Sequence, residues 1–215
     1  MHISEAMLTD SLEGNLALGA GMALAAAGTA VGLRKMDYER IPQVAVLSSA
    51  FFVASLIQIP GPIAVHLVLN GLMGLILGWA VFPAVLIALV LQAVLFLAGG
   101  LTAVGVNTVV MALPAIVCYY ALNRSARSAS EPVAFLAGFA AGATGVLLGI
   151  FLAAAALITA GEEFKLLGEG AVLWHLPVAV IDGLITGSAV VFLRKVRPEL
   201  LEAPLLANQV EVTHG

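Results

Sequence analysis

The sequence predicts an all-α membrane protein: a seven-transmembrane-helix bundle with its N-terminus outside and its C-terminus cytoplasmic. Three observations carry this expectation. Of 215 residues, 61% are hydrophobic and only 10% are charged, whereas a soluble domain of this length needs a far more polar surface. Seven apolar runs approach the roughly 20 residues that a bilayer crossing takes. When those runs are threaded alternately through a membrane, nearly all the basic residues fall on one side.

The runs lie near residues 14–33, 41–59, 64–80, 82–99, 105–123, 132–160 and 171–193. The first is dense in small residues, with Ala17, Gly21 and Ala25 four apart and Gly28 and Gly32 continuing nearby. Gly138/Gly142 and Gly145/Gly149 repeat the spacing in the sixth. Such faces let helices approach closely, either within the bundle or against another membrane subunit. The third and fourth runs meet at "WAVFPAV", where Pro83 and the shortness of both runs suggest a tight turn. The sixth is long enough to tilt or to pass the bilayer edge. Arg34, Lys35 and Arg40 follow the first run, Arg124 and Arg127 the fifth, and Arg194, Lys195 and Arg197 the seventh. Only Lys165 falls on the opposite side. Positive charge favours the cytoplasmic side, so the N-terminus is expected outside. Residues 1–215 read as a single integral membrane domain, ending in a short cytoplasmic tail from about 198. The one cysteine, Cys118, sits in an apolar run as a buried thiol. The net charge of −4 says little about partners, and no nucleic acid is expected among them.

Polar groups at membrane depth point to function. Four histidines occur. His214 lies in the tail. His2, His66 and His175 all fall near the outer face in this topology. No basic segment precedes the first apolar run, so the terminus reads as uncleaved, and bulky His2 is expected to keep Met1 in place. Met1 and His2 then offer three nitrogens in sequence: the Met1 amine, the His2 amide nitrogen and His2 Nδ1. These close a five-membered and a six-membered chelate ring and lie nearly in one plane. The fourth corner is open to an imidazole, and His66 is the best candidate. Planar nitrogen donors suit Ni(II) or Cu(II), and Co(II) is accommodated, whereas Zn(II) prefers a tetrahedron. Asn70, four residues after His66, shares its helical face. Asn107, His175 and Asp182, the last the only carboxylate well within a run, join it as groups that either orient the ligands or make structural hydrogen bonds. Gln92 is a further polar residue inside a run.

The stretches "MHISEA", "KMDYERIPQVAVLSSAFFVASLI", "VHLVLNGLMGLILGW" and "GVNTVVMALPAIVCYY" resemble the CbiM/NikM family. These are the substrate-capture (S) components of energy-coupling-factor (ECF) transporters for cobalt and nickel. The resemblance covers most of the chain. It implies a compact bundle with an extra N-terminal helix that lets the N-terminus tuck in and bind metal. The implied ligands are Met1, His2 and His66. The implied partners are a transmembrane coupling (T) subunit, cytoplasmic ATPase subunits and often a small accessory membrane protein, and the chain itself is expected in the cell inner or plasma membrane. Two departures stand out: Ala6 replaces a usual glycine, and Ile63 and Ala64 replace hydroxyl-bearing residues before the second histidine. No enzymatic activity is expected. Lys35, Lys165 and Lys195 lack any phosphate-binding glycine context. Ser188 and His175 are thirteen residues apart, nearly four helical turns, too far for a hydrolase pair. The other reading is a self-sufficient secondary permease for a divalent metal, against which stand the lack of inverted halves and the few intramembrane charges.

Overall fold

The computed structural model of the protein describes residues 3–59, 65–161 and 164–202. Within them run seven α-helices: α1 (Leu12–Lys35), α2 (Ile41–Ala54), α3 (Asn70–Leu77), α4 (Val81–Phe96), α5 (Val104–Ala126), α6 (Glu131–Ala160) and α7 (Lys165–Val196). Two short strands, β1 (Gln58–Ile59) and β2 (Val65–His66), pair antiparallel between α2 and α3.

Each apolar run holds one helix, yet the expectation of seven full-length spans needs correcting. Among the described residues, five stretches are long and apolar enough to cross a membrane: α1, Asn70–Phe96, α5, α6 and α7. The run at 41–59 yields a helix that stops at Ala54, and the run at 64–80 yields one that begins only at Asn70. At 1.5 Å per residue, α2 rises about 21 Å and α3 about 12 Å, against a hydrocarbon core of about 30 Å. Hydropathy alone could not see this. The sequence "QIPGPIAV" is apolar, but Pro60 and Pro62 have no amide hydrogen to give a helix.

Asn70–Phe96 is long enough as a sum, but its two helices point in opposite directions. Gly74 lies against Ala115, and Gly78 against Tyr119, so α3 runs alongside α5 in the same sense. At Gly78 the backbone turns with φ +53°, a conformation glycine adopts without steric cost. From there α4 returns beside α1, with Phe82 against Gly28 and Trp79 against Gly32. Just beyond α4, the Gly99 carbonyl accepts the amide of Glu5 at 2.8 Å.

The burial pattern suits lipid. Leu95, Leu136 and Phe192 are about 60% exposed on the outer surface of the bundle. Asn70, Thr108 and Asp182 are fully buried and hydrogen-bonded, because a polar group in hydrocarbon must find its partners inside the protein. At one end of the bundle Lys35 lies over the Trp79 ring, Arg40 donates to the Glu202 carbonyl, Arg194 donates to the Ala129 carbonyl, and Lys195 pairs with Glu131.

The small-residue faces are spent within the monomer. Gly21 abuts Val106 of α5, Ala25 is buried, Gly138 meets Gly187, Gly142 meets Asp182, and Gly145 meets Asn70. The reading of the Ala17–Gly21–Ala25 face as a free docking surface falls, since α5 and α4 already cover most of it. A Gly21→Leu substitution is expected to push α1 off α5 and lower stability by about 1–3 kcal/mol or more. Gly19→Leu, on the same helix but facing open space, should leave the melting temperature unchanged. Thermal melts in detergent compare the two.

Candidate metal centre

Of the expected ligands, Met1 and His2 lie outside the described residues. His66 is within them, at the end of β2 and 6% exposed. Its Nδ1 is 2.7 Å from the Leu67 carbonyl oxygen. A carbonyl only accepts, so Nδ1 carries the proton and Nε2 is the nitrogen with the lone pair.

The loop after His66 is held from α7. Asp182 accepts the amides of Val68 at 2.9 Å and Leu69 at 3.2 Å. Leu69 has φ +53°, an unfavourable conformation for a side-chain-bearing residue that its surroundings must enforce. Asn70 then opens α3. Its Nδ2 donates to the Met111 carbonyl at 3.2 Å and the Gly145 carbonyl at 3.0 Å, fixing the helix start to α5 and α6. Asp182 and Asn70 thus set the backbone on either side of the His66 segment. These bonds go to main chain, not to the imidazole, so of the two roles expected for Asn70 and Asp182 it is the structural hydrogen bonds that they make.

The N-terminal segment is held just as firmly. Asn107 Oδ1 accepts the Ile3 amide at 2.8 Å, and Asn107 Nδ2 donates to the Ile3 carbonyl at 2.9 Å. Ile3 is 2% exposed. Two residues on, the Glu5 carboxylate accepts the Thr102 hydroxyl at 2.6 Å and the Thr102 amide at 3.2 Å. Sequence reasoning missed Glu5 and Thr102, because no spacing links positions so far apart. The Thr102 hydroxyl, then its amide, holds the Glu5 carboxyl below the usual range. A lowered carboxyl pKa stabilises the folded state above the ordinary value and loses that contribution as pH falls through the folded one. The melting-temperature gap between wild type and Glu5→Gln is therefore expected at neutral pH and should close as the pH falls below the ordinary carboxylate range.

Helix registers place these groups in depth. α6 runs antiparallel to α7, with Gly142 against Asp182 and Gly138 against Gly187. Stepping along both away from the basic end of the bundle brings His175 opposite Gly149. α6 also runs antiparallel to α5, with Cys118 donating to the Ala141 carbonyl, and Met111 and Gly145 sharing Asn70. The same stepping brings Asn107 opposite Gly149. The Asn107–Ile3 clamp and His175 therefore share one level, further from the basic end of the bundle than that of Asn70 and Asp182. His175 is 2% exposed, with Nδ1 2.7 Å from the Ala171 carbonyl oxygen. Among the described residues, no three His, Cys, Asp or Glu side chains gather as a metal-binding group. Gln92, further along α4, donates to Ser55 at 2.6 Å and joins α4 to the end of α2.

Long apolar helices around buried polar side chains define an integral membrane protein that crosses the bilayer several times. The chain belongs to the CbiM family, described as the cobalt uptake substrate-specific transmembrane region, whose family model matches residues 2–200. It is 40% identical over 208 residues to a protein of Haemophilus influenzae named for metal transport, covering 94% of this chain and 97% of that one. The cobalt transport protein CbiM of Sorangium cellulosum is 30% identical, over 75% of this chain and 76% of its own. The fused nickel transport protein NikMN of Rhodobacter capsulatus is 31% identical, over 86% of this chain and 60% of its own length. A crystal structure of a truncated transition metal transporter superposes with a TM-score of 0.71 at 21% identity, over 91% of this chain and 99% of that one. That likeness concerns the fold. The protein is a multi-pass membrane component of cobalt or nickel transport.

Proposed function

We propose that this chain is the metal-capturing subunit of an ECF-type importer for nickel or cobalt ions. The substrate ion is bound at the outer face by the Met1 amine, the His2 amide nitrogen, His2 Nδ1 and His66 Nε2. The observation that carries this reading is the two-point grip of Asn107 on Ile3. It fixes in the protein interior the residue adjoining His2, where an ordinary terminus would fray. The His66 loop is held separately by Asp182. Two independently anchored segments can present a planar donor set without reorganisation on binding, which favours affinity.

On this reading the chain crosses the membrane seven times. The short α3 is completed by the loop that carries His66, which is buried in protein, where irregular backbone at membrane depth is tolerated. The basic end is cytoplasmic, so the N-terminus is outside. The partners are a transmembrane coupling subunit and cytoplasmic ATPases, with a small accessory membrane protein among them. The test is uptake of radioactive nickel and cobalt by cells expressing the chain alone or with those partners. ATP-dependent uptake only in company supports the capture subunit. Full uptake by the chain alone supports the permease instead. Asn107→Ala is expected to weaken metal binding by about 10–100-fold, as loss of a ligand-positioning partner does. Isothermal calorimetry on the purified variant measures it.

A further inference from the structure

We propose that His175 supplies an apical nitrogen to the bound metal and that this fifth donor favours cobalt(II) over nickel(II). The proposal rests on the four-nitrogen plane described above. Its starting point is an anomaly within α7: His175 is almost wholly buried, yet its Nε2 has no hydrogen-bond partner among the described residues. Leaving a buried polar atom unpaired is costly, so an occupant is called for.

The chemistry of the ring says which kind. Its Nδ1 hydrogen goes to the Ala171 carbonyl, so Nε2 presents a lone pair and no proton. A histidine whose other ring nitrogen donates to a backbone carbonyl is the arrangement that metal-binding histidines use. A cation is the natural partner for that lone pair.

Position agrees. His175 stands at the depth of the Asn107–Ile3 clamp, which holds the residue next to His2. Asp182 lies seven residues further along α7, on the same helical face, and grips Val68 and Leu69. β2, which carries His66 and precedes Val68, packs against α7, so His66 lies beside the helix that carries His175. The terminus and the His66 loop supply the plane. His175 arrives from α7, a third direction, which suits an apical position.

The apical donor discriminates between the two ions. Planar low-spin Ni(II) has eight d electrons and a filled orbital along the axis, which repels a further lone pair. Low-spin Co(II) has seven, with one electron in that orbital, and accepts one apical base.

Electron paramagnetic resonance of the untagged protein loaded anaerobically with Co(II) tests this directly. An apical nitrogen shares the unpaired electron, so each parallel cobalt line is expected as a triplet. In His175→Gln the triplets should collapse to single lines, with cobalt affinity down about tenfold or more and nickel affinity unchanged. Wild type labelled with nitrogen-15 histidine should show doublets, a result that needs no variant to fold. Single lines in the wild type, triplets surviving in His175→Gln, or triplets persisting after labelling would each overturn the proposal. Failure of the wild type to bind cobalt or nickel at all would instead sink the capture reading beneath it.

Discussion

Alanine at position 2 or position 66 is expected to abolish high-affinity nickel and cobalt binding while leaving a folded, inserted protein. His2 supplies two of the four proposed planar donors. Its alanine variant keeps the amide nitrogen but loses Nδ1, and with it the six-membered chelate ring. That ring also helps the metal displace the amide proton, so the loss extends beyond one bond. His66→Ala removes the only planar donor from outside the terminus. The effect of either should exceed the 10–100-fold loss typical of removing an outer hydrogen-bond partner. Folding should survive, because the loop after His66 is held by Asp182 through main-chain amides and the terminal segment by Asn107 through the Ile3 backbone. Neither grip involves an imidazole. Calorimetry and metal analysis of purified variants measure binding, and a thermal melt measures folding. Wild-type affinity in either variant would remove that residue from the site.

A tag fused ahead of Met1 should be as damaging, although it leaves every side chain in place. It converts the amine into an amide and replaces a good donor. It also forces additional chain past a segment whose third residue is 2% exposed. The same tag after Gly215 should leave capture and uptake intact. Cleaving the N-terminal tag should restore binding only if Met1 becomes the first residue again. Normal affinity with a blocked amine would disprove the terminal chelate even if His2 and His66 proved essential. The pair of experiments thus separates the amine as chemistry from the histidines as side chains.

The residues of the proposed site divide by how their roles can be read. His66 stands out in sequence because an imidazole in an apolar run is rare, and its rarity is a local property. Asn107 is equally visible as a polar residue, but its task is not. It binds a main chain 104 positions away, and the sequence offers no register between the two. Asp182 behaves alike, reaching amides 113 and 114 positions off. Glu5 and Thr102 were missed altogether, since each alone is an ordinary residue near a helix start.

The sequence by itself determined the membrane environment, the helical composition and the location of nearly every helix. All three follow from hydropathy summed over a window the length of the helix, and the bilayer makes that sum decisive. The quoted motifs also determined the family. Only the tertiary structure decided that α2 and α3 are short, that α3 and α4 turn back on each other, and that the glycine faces are covered within the bundle. It alone showed which polar side chains grip which backbones. Those outcomes depend on which helix lies beside which and in what register. Such contacts join residues far apart in the chain, so no window contains both partners.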